Sequence, residues 1–151
     1  MNALEIEKKY IEERVRILRA LQKKYGKKII GMSANAKKKL IYERMREQYK
    51  GIIPVDIEQF FRIIFGDFEG IDRMIDFKLL EKTESTLKVR VNRCWYADIY
   101  RRLNAQDIGH EMVCMMDPSM NRAINPKIRM SRPKKLMSGD ECCIFEYRLV
   151  K

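Results

Sequence analysis

Four cysteines, at 94, 114, 142 and 143, each sit among acidic, basic or aromatic neighbours: VNRCWYADIY (91–100), DIGHEMVCMMD (107–117) and LMSGDECCIFEY (136–147). Cys94 falls where a predicted strand gives way to a helix, so the free N–H groups of the helix start favour a thiolate there. Arg93 adjoins it and Asp98 lies one turn on, so thiolate, guanidinium and carboxylate can converge on one ligand. The competing reading is a small buried thiol that fills the corner between strand and helix. On one continuous helix, His110, Cys114 and Asp117 share a face at i, i+4 and i+7, a set that with Cys94 or Cys143 would give four metal ligands. The chain has a single histidine and no CxxC pair. A closed zinc site is therefore not expected, metal stays the minor alternative, and no cofactor is expected. A nucleophile elbow, a Walker loop, HExxH and GxGxxG are all absent from the sequence. Methionines 112, 115, 116, 120, 130 and 137 gather in the same region. They suit a soft pocket lining, but core filling is the preferred reading.

The thiols are not expected to pair. The first ten residues, MNALEIEKKY, lack the apolar core of a signal peptide, and no apolar run approaches bilayer thickness. The expected location is cytoplasmic, without a membrane partner, where cysteines remain reduced. Cys142 and Cys143 are neighbours on a predicted strand and so point to opposite faces. Only one of them can easily face a shared site.

At 151 residues with 46% apolar and 35% charged side chains, the chain is long enough to close one core without staples. Its net charge of +11 is uneven, because residues 1–50 carry fifteen Lys/Arg against six Glu, or +9. Such a face can meet nucleic acid or another anionic partner. No RRM, KH or finger signature accompanies it, and no aromatic stacking set is interleaved. A solvated face is preferred to a nucleic-acid groove. A small-molecule substrate or ligand is the expected partner, with a homodimer left open.

Apolar spacing predicts a helix over 4–25 ended by Gly26, and a second from a Ser33 cap to Tyr49. Asp56 is expected to cap the short helix IEQFFRIIF. The period then changes. DFKLLEK (76–82) and TLKVRVNR (86–93) read as a hairpin, WYADIYRRL (95–103) and DIGHEMVCMM (107–116, capped by Asp107) as helices, and KIRMS (127–131) and ECCIFEYRLV (141–150) as strands. The expected class is α+β in one domain over 1–151. A helical N-terminal part (1–66) packs on a mainly antiparallel sheet with two inserted helices (76–150).

These residues also carry a family resemblance. Val91, Arg93 and Cys94 run into Tyr96, Ala97, Asp98 and Tyr100. Gly109 precedes Cys114 by five residues and Asp117 follows, then Asn125-Pro126, Gly139-Asp140, Cys143 and Phe145. Over 91–147 the chain resembles the L-2-amino-thiazoline-4-carboxylic acid hydrolases, the N-terminal half matching only in helical character. Its closing strand is similar to that of vinyl-reductase-type ligand-binding domains. The resemblance implies hydrolysis of a cyclic thiazoline amidine to N-carbamoyl cysteine. It implies Cys94, Asp98, Cys114 and Asp117 as catalytic candidates, and Arg93, Tyr96, Asn125 and Cys143 as substrate-binding ones. Arg93 would pair with a substrate carboxylate, and Cys94 would either attack or only contact the heterocycle. Three departures stand out. Ile144 occupies a position where relatives often carry Asp, Met116 one where a polar residue is commoner, and Cys142 is an extra thiol. Ile144 and Met116 motivate an alternative, a binding or sensing module of the same fold without hydrolysis.

Overall fold

Gly26, at φ +85°, breaks the N-terminal helical run into two long helices in the computed structural model, which describes residues 1–52, 54–66 and 69–151. The first helix, α1 (Ala3–Tyr25), starts in a capping box in which Asn2 and Glu5 each accept the other's backbone N–H. It buries Ile11, Val15 and Leu18 at helical spacing. The second, α2 (Lys28–Tyr49), begins five residues before the expected Ser33 cap. Ile30 is buried and anchors the first turn, while the Ser33 hydroxyl donates back to the Ile29 carbonyl at 2.8 Å. Asp56 does cap α3 (Ile57–Phe65), again in a capping box, here with Gln59.

One turn, α4 (Ile71–Met74), leads into the hairpin β1 (Ile75–Lys82) and β2 (Thr86–Cys94). Its turn is held by the Thr83 hydroxyl, which accepts the N–H groups of Ser85 and Thr86. Three helices then follow rather than two: α5 (Trp95–Arg102), α6 (Gln106–Met112) and α7 (Asp117–Ile124). The expected 107–116 helix stops at Met112. Val113 leaves helical geometry, Cys114–Met116 forms a 3-10 turn, and a new helix opens with Pro118 in its first turn, where its missing N–H costs nothing. Asp107 is not the cap. Its carboxylate accepts two hydrogen bonds from Arg19 of α1, at 2.7 and 2.8 Å, tying α6 to the first helix.

The strands β3 (Ile128–Lys134) and β4 (Cys143–Leu149) complete an antiparallel sheet of order β1-β2-β4-β3. The fold is α+β. Alternation turns Leu87, Val89 and Val91 of β2, Cys143 and Tyr147 of β4, and Ile128 of β3 toward the helices. One apolar cluster links them to Phe60 and Phe65 of α3 and Ile108 of α6. No helix among the described residues is long and apolar enough to cross a membrane.

Gly109 lets α6 approach closely. A Cβ there would lie 2.6 Å from Tyr100 Cγ and 2.8 and 2.9 Å from Met137 Sδ and Cε. Met137 can yield, but the buried Tyr100 ring cannot. Gly109→Ala is therefore expected to cost about 1–3 kcal/mol through overpacking. A lower urea midpoint at unchanged slope checks this.

Candidate functional site

Cys94 ends β2 and caps α5. The N–H groups of Tyr96 and Ala97 hold its pKa down, as a helix start should, but burial outweighs them and the net shift is upward. The expected thiolate is thus a neutral thiol. Cys114 opens the 3-10 turn after α6, and burial pushes its pKa up to about 12 against the pull of Arg132. Cys143 points inward from β4 and accepts the Leu136 N–H at 3.2 Å, and burial raises it as well. These three thiols lie within electrostatic reach of one another and of Asp117. Cys142, the one of the four that is fully buried, stands apart from the main apolar cluster.

Asp117 is the charged centre. It opens α7, and burial raises its pKa to about 6 even though Arg132 opposes the shift. Arg132 Nη1 donates to Asp117 Oδ2 at 2.6 Å, with the arginine side chain 5% exposed and the aspartate 28%. Its Nη2 donates to the Cys114 carbonyl at 3.0 Å, and the guanidinium lies 5.4 Å from the Phe145 ring centroid. Arg132 Nε and Asn121 Oδ1 are buried without a hydrogen-bond partner among the described residues. Beside them Tyr147 is buried, its pKa driven well up by desolvation and by Asp117.

Sequence reasoning missed Arg132, though a signal was present. In KIRMSRP, residues 128, 130 and 132 share one face, so an inward arginine demands a buried anion. The expected strand stopped at Ser131 before Pro133. The actual strand continues through an irregular register between Ser131 and Lys134, a bulge of the kind that re-aims side chains beside functional sites.

Other expected residues lie elsewhere. Arg93 is exposed and donates at 3.4 Å to the carbonyls of Asp72 and Arg73, at the end of α4. Asn125 is buried but occupied: its Nδ2 donates to the Val55 carbonyl at 2.8 Å and its Oδ1 accepts the Lys127 N–H at 2.9 Å. Asp98 sits at the rim, 3.8 Å from Arg101 and close enough to raise Cys94 slightly. Tyr96 packs edge-on against Trp95 at 5.1 Å, and burial pushes its hydroxyl up to about 12, with Glu7 and Cys94 adding to the shift.

The helix break at Val113 undoes the shared face of His110, Cys114 and Asp117. His110 instead meets Glu111 and Lys135 in an open cleft of about 820 Å³ between α2, α6 and the Leu136–Ser138 turn. No group of three His, Cys, Asp or Glu side chains among the described residues is arranged to hold a metal ion. Ile144 is paired with Arg90 on the sheet face opposite Cys143 and Phe145, so an aspartate there would not face this site. Met116 is buried core.

The sequence model of the L-2-amino-thiazoline-4-carboxylic acid hydrolases matches residues 4–147. The chain belongs to this family. The match takes in α1–α3, so the N-terminal helices are part of the hydrolase-family unit rather than an unrelated helical addition. No curated protein matches the chain. Among solved structures, this hydrolase-family chain is similar to trafficking protein particle complex subunit 3 from Naegleria fowleri, a structure with covalently bound palmitic acid. That match has TM-score 0.47 and 9% identity over 97% of each chain.

Proposed function

We propose that the protein hydrolyses a small cyclic amidine such as 2-amino-thiazoline-4-carboxylate, opening the ring to N-carbamoyl cysteine. The observation that carries this reading is Asp117, a shielded carboxyl with pKa near 6 held by Arg132 beside three neutral thiols. A general base works best when its pKa lies near the operating pH, where it is ionised yet still basic. Asp117 meets that condition, whereas Cys94, Cys114 and Cys143 keep their protons and are weak nucleophiles at neutral pH.

The favoured course is therefore direct attack by water. The water oxygen adds to the amidine carbon, and Asp117 takes one water proton and returns it to the ring nitrogen. The new hydroxyl then loses its hydrogen as the carbonyl forms. The carbon–sulfur bond breaks, and that hydrogen ends on the released sulfur. Arg132 keeps the Asp117 carboxylate oriented throughout, and the thiols offer a soft wall to the sulfur of the ring. Asp98, paired at the rim, is a minor contributor.

Incubation of purified protein with 2-amino-thiazoline-4-carboxylate tests this by the appearance of free thiol and N-carbamoyl cysteine. Absence of ring opening across pH 5–9, with this compound and related cyclic amidines, would end the hydrolase reading. Ligand retention without turnover would instead favour a binding module of the same fold.

A further inference from the structure

Two faces meet at Cys94 and Cys114, and the proposed chemistry uses only one of them. Asp117 and Arg132 approach from α7 and β3. From the other side come α1, α2 and α5, carrying Arg14, Lys37, Tyr96 and Tyr100: Arg14 is within electrostatic reach of the other three, Tyr96 of Cys94 and Tyr100 of Cys114. Tyr100 is 0% exposed, and its hydroxyl has no hydrogen-bond partner among the described residues. A buried donor left unpaired costs stability, and such groups persist where a ligand completes them.

The charges around it are also incomplete. Lys37 is half-buried and gives one hydrogen bond, at 2.6 Å, to the Met112 carbonyl at the end of α6, leaving two ammonium hydrogens. Burial and the neighbouring Arg14 and Arg44 depress its pKa, while Glu7 is the carboxylate that offsets them. Burial raises the pKa of the Tyr100 hydroxyl on balance; Arg14 opposes the rise from a position facing the hydroxyl, close to but short of hydrogen-bond geometry. Three cations around one carboxylate and one orphaned hydroxyl call for a further anion. A carboxylate suits two ammonium hydrogens, a guanidinium and a phenol.

We propose that Arg14, Lys37 and the Tyr100 hydroxyl form a carboxylate subsite that orients the substrate ring against Cys94 and Cys114. For its natural ligand the subsite rests on the hydrolase reading. It takes the role expected of Arg93, whose guanidinium is turned to the carbonyls at the end of α4. The substrate's carboxylate meets α1, α2 and α5, and its amidine carbon then faces Asp117.

Steady-state kinetics with 2-amino-thiazoline-4-carboxylate and its carboxylate-free analogue 2-aminothiazoline test the subsite. Lys37→Met and Tyr100→Phe should each raise KM for the acid by about ten-fold or more, the value of one charge-assisted hydrogen bond. KM for the carboxylate-free compound should not rise, and Lys37→Arg should recover part of the loss. Equal losses for both compounds would mean a structural role and overturn the subsite. Should the wild type open neither compound, the hydrolase reading falls while the subsite remains testable with acetate. At equal ionic strength, acetate but not acetamide should raise the unfolding temperature of the wild type, and not of Lys37→Met. Lack of acetate protection in the wild type would overturn the subsite.

Discussion

Asp117→Asn is expected to lower turnover of the cyclic amidine by about 10²–10⁴-fold, the usual contribution of a positioned general base. Asparagine keeps the shape and can still accept from Arg132, so the fold should survive, which near-UV circular dichroism checks. In the wild type, the ascending limb of kcat against pH should bend near pH 6, where Asp117 loses its proton. In Asp117→Asn that limb should vanish with the activity. A limb that persists near pH 6 in the variant would assign the base to another group.

The second large effect concerns Arg132. Arg132→Met keeps an apolar stem against Phe145 but removes the charge that opposes the upward shift of Asp117. The Asp117 pKa should climb further, moving the kcat limb above pH 6 and lowering turnover at neutral pH. Stability should respond with a definite sign. A carboxyl whose folded pKa exceeds its unfolded value of about 3.9 contributes stability below that value and loses it as pH rises through the folded pKa. In the wild type that loss falls between about 4 and 6; in Arg132→Met it extends to higher pH. The variant should therefore lie much closer to wild type at pH 5 than at pH 8, where an unpaired shielded carboxylate costs up to about 3–5 kcal/mol. Urea unfolding at the two pH values measures the difference. An equal cost at both would show that Arg132 acts by packing alone.

These two residues mark what sequence reading could and could not reach. Asp117 was legible as a carboxylate three residues after a cysteine. Its partner lies on another strand, one residue beyond an assumed strand end at Ser131, on the face that Ile128 and Met130 share. Arg93 was misplaced for the converse reason. Adjacency to Cys94 in the chain suggested a shared site, but the side chain reaches the carbonyls of Asp72 and Arg73 instead. His110 and Cys114 looked like one face only while the helix between them was taken as continuous, and Val113 ends that helix.

Periodicity, caps and turns are local properties, and the sequence by itself determined what depends on them. These are the α1 and α3 boundaries, the β1–β2 hairpin, the α+β class, and the family to which the residues over 91–147 point. Burial and long-range pairing arise only when distant segments meet, so tertiary structure alone decided the rest. It turned the expected Cys94 thiolate into a protonated thiol, because desolvation exceeds the pull of two helix N–H groups. It also raised Asp117 to about 6 by shielding it from water beside Arg132. Finally, it brought Arg14, which the sequence showed only as part of a basic surface, against the buried hydroxyl of Tyr100, and Lys37 against the Met112 carbonyl at the end of α6.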